Sequence, residues 1–141
     1  MEKYDFVAIG DVTTDAFITL KMADVHENLH PDRKELCMSW GDKLPYEDLT
    51  VVPAVGNCAN AAVAAARLGL SSALLSNQGD DDVGEKNLKS LSDDNVSTEL
   101  ITSHPGMPSN YHFVLSYDSE RTILVKHHAY PYTMPNIGSP K

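Results

Sequence analysis

The chain has 141 residues, enough for one compact core, and its hydrophobic share of 42% is ordinary for a globular protein. A formal net charge of -9 argues against a surface for nucleic acid or for an anionic membrane. No apolar stretch is long enough to span a bilayer, and the first residues do not resemble a signal peptide. Two cysteines, Cys37 and Cys58, are too few for a disulfide framework, so the sequence predicts free thiols in a cytoplasmic protein.

The first third of the chain alternates short apolar runs with polar segments. A strand buried on both faces is predicted at 6–9 and a more exposed strand at 17–20. Residues 21–35 are polar and predict a loop, and two further strands are predicted at 36–40 and 50–52. The apolar run at 6–9 ends at a glycine, which favours a ligand-binding turn at the end of a central strand.

The rest of the chain adds two helices and several strands. After an alanine-rich helix, a buried strand is predicted at 73–76 and a helix capped by Asp82 at 83–91. A weak strand is predicted at 98–101, followed by strands at 111–117 and 122–126 that are joined by a turn at 118–120. The tail from 130 is predicted to be irregular. Buried strands separated by helices predict an α/β core with a partial parallel sheet and flanking helices. The exposed strands predict a small second sheet beside that core.

The alanine-rich helix has the most informative start. Gly56 lets a backbone approach a ligand closely, and Asn57 and Asn60 place amide groups beside the free N–H groups of a helix N-terminus. Alanine is the best helix former, and Gly69 is placed to end the helix in a left-handed conformation. The segment alone favours a capped, tightly packed helix somewhat more than a ligand site.

A second candidate site follows the first predicted strand. Asp15 lies in the segment 10–15, and an ionised carboxylate there can accept hydrogen bonds from two neighbouring hydroxyls. A turn with a capping aspartate explains the spacing equally well. The segment lacks the glycines of a dinucleotide fingerprint.

Metal and phosphate chemistry is not indicated. The run Asp80-Asp81-Asp82 lacks the alternating ligands of a calcium loop and favours an acidic strand-to-helix turn. His127 and His128 are adjacent on a predicted strand, so they should point to opposite faces and cannot both bind one metal. The sequence contains no P-loop. No metal site is therefore predicted.

Three motifs together resemble the N-terminal half of the ribokinase-like (PfkB-type) carbohydrate and nucleoside kinase family. They are Ala8-Ile9-Gly10-Asp11 through Asp15, then Gly56-Asn57-Cys58-Ala59-Asn60 with its alanine helix, and then Gly79-Asp80-Asp81 with Gly84. The resemblance covers essentially the whole chain. It implies a ribokinase-like, Rossmann-type α/β core with a small β-sheet lid. The lid strands would lie at about 17–52 and 109–127, and residues 1–141 would form the N-terminal portion of such a kinase domain.

The resemblance also implies roles for particular residues. The carboxylate at Asp15 would bind substrate hydroxyls, Gly56 and Asn57 would pack on a sugar, Asn60 would bind a further hydroxyl, and Thr13 would face the substrate. The family pattern has two glycines where this chain has Val55-Gly56, which adds bulk near the substrate. The implied ligands are a small-molecule sugar or nucleoside, with ATP and Mg²⁺ as cofactors. A homodimer through the lid strands is also implied.

One segment that the family uses for catalysis is missing from the sequence. Family members run to about twice this length, and their second half supplies the nucleotide pocket and a Gly-Ala-Gly-Asp segment with the catalytic base, which does not occur here. The chain is therefore expected to be a kinase portion, inactive alone and marginally stable. A non-catalytic sugar-binding or interaction module derived from such a kinase is the alternative, and an unrelated α/β protein is a third.

Overall fold

The computed structural model describes residues 4–30 and 32–133, with only the backbone described at 28–30. In chain order the elements are β1 (Phe6–Ile9), β2 (Thr13–Leu20), β3 (Asp24–His30), β4 (Arg33–Cys37), β5 (Tyr46–Val55), α1 (Asn57–Arg67), β6 (Ser72–Gly79), α2 (Asp82–Asp93), β7 (Val96–Ser97), β8 (Ile101–His104), β9 (Tyr111–Tyr117) and β10 (Glu120–Leu124). The chain divides into a core unit, Met1–Thr14 with Pro53–Tyr111 and Lys126–Lys141, and a lid unit, Asp15–Val52 with His112–Val125.

The core unit contains a parallel sheet centred on β6. This strand pairs with β1 on one side and with β7 and then β8 on the other, always in parallel. All eight residues of β6 are buried, whereas in β1 only Ala8 is buried and Ile9 is 51% exposed. The prediction that the strand at 6–9 is buried on both faces is therefore wrong. The difference in burial follows from the position of each strand in the sheet. Strand β6 has paired strands on both sides, whereas β1 pairs with β6 alone within the described residues.

The alanine helix α1 packs against β1 and β6 through one narrow face. Ala59, Ala62 and Ala65 are the buried residues of this helix, and their small side chains allow the helix to lie close to the sheet. Gly69 has φ +91°, its N–H bonds the carbonyl of Ala66, and the Leu70 N–H bonds that of Ala65. These two bonds form a Schellman motif, so the predicted glycine terminus is confirmed.

The second helix, α2, begins one residue earlier than expected. The prediction that Asp82 caps it is wrong, because the cap is Asp81, whose carboxylate accepts the Gly84 N–H at 2.9 Å. Asp82 instead lies exposed in the first turn, where a negative charge suits the helix dipole. Neither helix of the described part of the chain is long and apolar enough to cross a membrane.

In the lid unit, a four-stranded sheet has the order β10-β9-β2-β5, and β3 pairs with β4 in a separate antiparallel pair. The prediction of a loop at 21–35 is wrong, since β3 and most of β4 occupy it. The described side chains of β3 are exposed and those of β4 are exposed or only partly buried, so the burial pattern that marks a strand is missing. An ion pair between Glu27 and Lys34 joins the two strands. The strand predicted at 36–40 is also wrong, because β4 ends at Cys37 and Trp40 is fully exposed in a turn.

Several strand bounds also differ from expectation. The strand predicted at 50–52 is part of the ten-residue β5, and the weak strand at 98–101 is replaced by β7 and β8 on either side of it. The turn before β10 has two residues, Asp118 and Ser119, both with positive φ, as in the tight hairpin turns that follow the twist of a sheet. His127 and His128 lie beyond β10 rather than on a strand. Most of the tail predicted from 130 lies outside the described residues.

Candidate functional site

The predicted hydroxyl-binding carboxylate, Asp15, lies inside β2 and not in a turn, so the alternative of a capping turn residue does not apply. It belongs to the lid unit, and its side chain is 18% exposed. The Nδ1 atom of His112, on the neighbouring strand β9, lies 3.4 Å from its Oδ1 atom. A carboxylate accepts hydrogen bonds and an imidazole donates or accepts them, so the pair combines both kinds of hydrogen-bonding group. Nothing in the sequence signalled His112, because its partner is distant along the chain.

Gly56 and Thr13 lie close together in the core unit. Gly56 has φ +108°, and a Cβ atom there would lie 3.3 Å from the carbonyl oxygen of Asp11 and 4.0 Å from Oγ1 of Thr13. Thr13 is 3% exposed. A side chain at position 56 would be both strained and crowded, which explains glycine at this position.

The start of α1 exposes the polar groups that the sequence singled out. Gly56 is the N-cap and supplies no side-chain hydrogen bond, and the first turn contains no acidic residue. Asn57 and Asn60, three residues apart and therefore on one side of the helix, are both exposed. A helix start without a side-chain cap suits an oxygen-rich ligand, because its N–H groups lack a side-chain acceptor.

Behind these residues lies a buried asparagine that sequence reasoning missed. The carboxamide oxygen of Asn87, on α2, accepts the Thr14 hydroxyl at 2.8 Å and the Ala54 N–H at 2.7 Å. Asn87 is fully buried. A polar residue at the interior positions of an amphipathic helix is the only sequence signal that would have found it.

The glycine-aspartate motif after β6 is a structural junction. Asp81 accepts the Ser109 hydroxyl at 2.6 Å and the Ser109 N–H at 2.9 Å, in addition to its cap bond to Gly84. Burial raises the pKa of Asp81, but the hydrogen bonds from Ser109, Gly84 and Val83 outweigh it and hold the pKa below its ordinary value. Both carboxylate oxygens are engaged, which supports the predicted acidic turn over a cation site.

A second carboxylate, Asp11, lies just after β1 and contacts the segment beyond β10. Its Oδ2 atom is 3.4 Å from Nδ1 of His127, and its Oδ1 atom accepts the Tyr132 hydroxyl at 3.4 Å. The adjoining Tyr130 is buried, stacks on His104, and donates to the Pro108 carbonyl at 2.8 Å. Burial, with the Asp81 charge as a smaller contribution, raises the pKa of Tyr130 to about 12, so its phenol stays protonated.

The resemblance implies Mg²⁺ as a cofactor. The described residues contain no group of three or more His, Cys, Asp or Glu placed to hold a metal ion. The lid unit contains a cavity of about 490 Å³ between β3–β4 and β9–β10, lined by Lys34, Glu35, Arg121 and their neighbours. Its lining includes none of the five predicted binding residues.

Solved structures of the ribokinase class share this fold. A ribokinase from Arabidopsis thaliana, complexed with ribose and ATP, matches with a TM-score of 0.70 and 17% identity over 89% of this chain and 36% of its own. A putative ribokinase from Agrobacterium tumefaciens matches with a TM-score of 0.65 and 24% identity over 86% and 35%. A nucleoside kinase from Methanocaldococcus jannaschii matches with a TM-score of 0.66 and 14% identity over 84% and 35%. The predicted ribokinase-like α/β fold is thus confirmed, and the chain spans about a third of the length of these structures.

The family to which the chain belongs follows from a match of its sequence. Residues 42–130 match the pattern described as pfkB family carbohydrate kinase. The chain therefore belongs to the pfkB family, as the three motifs predicted, and the reading of an unrelated α/β protein is wrong. The match begins after Asp15, so the first motif lies outside it. No curated protein sequence matches the chain significantly.

Proposed function

We propose that the chain supplies the substrate-binding groups of an enzyme that transfers a phosphoryl group from ATP to a hydroxyl of a sugar or nucleoside. The observation that carries the proposal is the start of α1, an uncapped helix N-terminus with Gly56 and two exposed asparagines inside the segment that matches the family. Similarity to kinases of both ribose and nucleosides supports this substrate class.

Each proposed residue has a chemical task. Asp15 in the lid unit accepts hydrogen bonds from substrate hydroxyls, with His112 beside it. In the core unit, Thr13, Asn57 and Asn60 supply further polar contacts, and Gly56 leaves room for the substrate. Phosphoryl transfer also needs a base and neutralisation of phosphate charge, which these residues do not provide. Family membership implies that ATP with Mg²⁺ would supply the phosphoryl group and part of that neutralisation.

Binding of D-ribose and adenosine to the 141-residue chain, measured by isothermal titration calorimetry, tests the proposal. Asp15→Asn is expected to weaken binding of the preferred ligand about tenfold or more, because a hydrogen bond to a charged group is worth about 1.5–3 kcal/mol. Asn60→Ala should weaken it less, because its amide is neutral.

Asp48→Asn is the matched control, since Asp48 is an exposed aspartate on lid strand β5 outside the proposed site. It should leave affinity unchanged. Equal affinities of wild type, Asp15→Asn and Asn60→Ala for every ligand bound would reject the assignment of these residues.

A non-catalytic binding module is the alternative, because none of the proposed binding residues is assigned as a catalytic base. Genomic sequence beyond Lys141 separates the two, since the kinase proposal expects a continuing frame with the Gly-Ala-Gly-Asp segment. We also propose a homodimer through lid strands, supported by exposed Leu49, Val51 and Leu124. A cytoplasmic location is proposed from the two free cysteines.

A further inference from the structure

Asn87 is a fully buried polar side chain that the proposed function does not yet use. It lies in the middle of α2, on the buried face that also includes Gly84 and Leu91, and none of its surface is exposed. Asparagine is a poor helix former, and its Nδ2 atom has no hydrogen-bond partner within the described residues. Burying a polar amide whose N–H groups have no partner costs free energy, so packing alone does not explain an asparagine.

The oxygen of the same side chain makes two short hydrogen bonds to separate segments. One donor is the hydroxyl of Thr14 at the start of β2, and the other is the N–H of Ala54 near the end of β5. Because a single acceptor serves both donors, the positions of the two segments are fixed relative to each other.

The Ala54 bond holds a strained backbone. Ala54 has φ +56°, in the left-handed region that is unfavourable for a residue with a Cβ atom. This conformation turns the chain two residues before Gly56. The bond from the Ala54 N–H to Asn87 on helix α2 therefore fixes the position of Gly56, which directly follows β5.

The Thr14 bond acts on the neighbouring segment. Thr14 follows Thr13 directly, and its N–H also donates to the Asn110 carbonyl at 3.1 Å. Thr13 and Gly56 lie close together, since a Cβ atom added to Gly56 would be 4.0 Å from the Thr13 hydroxyl oxygen. Both segments joined by Asn87 thus carry proposed sugar-binding groups.

We propose that Asn87 is a positioning residue, which holds Thr13 and Gly56 in place for a sugar through its bonds to Thr14 and Ala54. The proposal rests on the proposed function for its ligand. It predicts that an acceptor oxygen at position 87 matters for ligand affinity, and that its effect passes through the backbone at Ala54.

Two variants of the full chain separate the oxygen from the side-chain volume. Asn87→Leu keeps the size and removes the acceptor, whereas Asn87→Asp keeps an acceptor oxygen. Asn87→Leu is expected to raise the Kd for D-ribose about tenfold and to speed hydrogen exchange of the Ala54 amide, measured by NMR. Asn87→Asp should keep the slow Ala54 exchange and most of the affinity. Lys86→Leu, on the exposed face of α2, should match wild type.

Unchanged affinity and unchanged Ala54 exchange in a folded Asn87→Leu variant would overturn the proposal, as would equal losses in the leucine and aspartate variants. If Asn87→Leu does not fold, Thr14→Val and Thr14→Ser take its place. The valine should shift the Gly56 amide resonance and weaken ribose binding, and the serine should do neither. If wild type binds no D-ribose, the proposed function fails for that sugar, while exchange at Ala54 still decides whether Asn87 fixes this segment.

Discussion

At the scale of single residues, the candidate site consists of two kinds of polar side chain. Some are proposed to contact a ligand, and others are buried and hydrogen-bond the segments that carry them. The sequence singled out the exposed Asn57 and Asn60 and the half-buried Asp15, because a carboxylate or amide that follows a strand or starts a helix is a recognisable pattern. It did not predict His112 or Asn87, since each works through a partner that is distant along the chain and adjacent only after folding. Periodicity shows which positions are buried but not which buried groups bond each other.

Asp81 makes folding stability depend on pH. Its folded pKa is lowered, so its carboxylate contributes stability above the unfolded aspartate pKa of about 3.9, and that contribution is lost as the pH falls through the folded value. Urea unfolding between pH 7 and about pH 2 should therefore show a fall in the free energy of unfolding that Asp81→Asn reduces.

Asp82→Asn is the matched control, because Asp82 is the next residue and lies exposed in the same helical turn. Its pH profile should follow wild type. A wild-type slope that persists in Asp81→Asn would show that the Asp81 hydrogen bonds do not set it.

At the scale of elements, burial decided which predictions succeeded. The helices α1 and α2 and the strands β6 and β9 combine apolar patterns with clear end signals, and all four were predicted close to their observed bounds. The pair β3–β4 was missed because its described side chains are mostly exposed and charged, and such strands have no apolar alternation. Polar hairpins of this kind can be recognised only from the hydrogen-bonded pairing of their strands in the structure.

The end of β6 packs tightly against the loop that precedes β9. A Cβ atom at Gly79 would overlap backbone atoms of Met107 and Pro108 and press on the Ser109 nitrogen, where the Asp81 bonds prevent movement. Gly79→Ala should therefore lower the free energy of unfolding by about 1–3 kcal/mol or more, measured by urea denaturation.

The control for this substitution is Gly106→Ala, in the preceding part of the same loop. Gly106 has φ +73° and no atom within 4 Å of an added Cβ, so only backbone strain of about 1 kcal/mol is expected. A Gly79→Ala variant no less stable than Gly106→Ala would contradict the crowding at this junction.

At the scale of the whole molecule, the chain covers about a third of the ribokinases it resembles. The proposed residues would bind a substrate, but none of them is assigned as a catalytic base, so binding and turnover should separate. The 141-residue chain is expected to show no sugar-dependent ATP hydrolysis above background in a coupled assay with Mg-ATP and D-ribose or adenosine. Turnover that Asp15→Ala abolishes would contradict this expectation.

The parallel pairing of β1 with β6 has a kinetic consequence. Phe6 pairs with Ser72, so the first segment of the lid unit and the whole of α1 lie between two strands that must meet. Contacts this distant along the chain form slowly, because much chain entropy is lost before the pairing stabilises anything. Refolding of the core unit should consequently be slow for a protein of this size, and the exposed side of β1 should be among the last surfaces to become ordered.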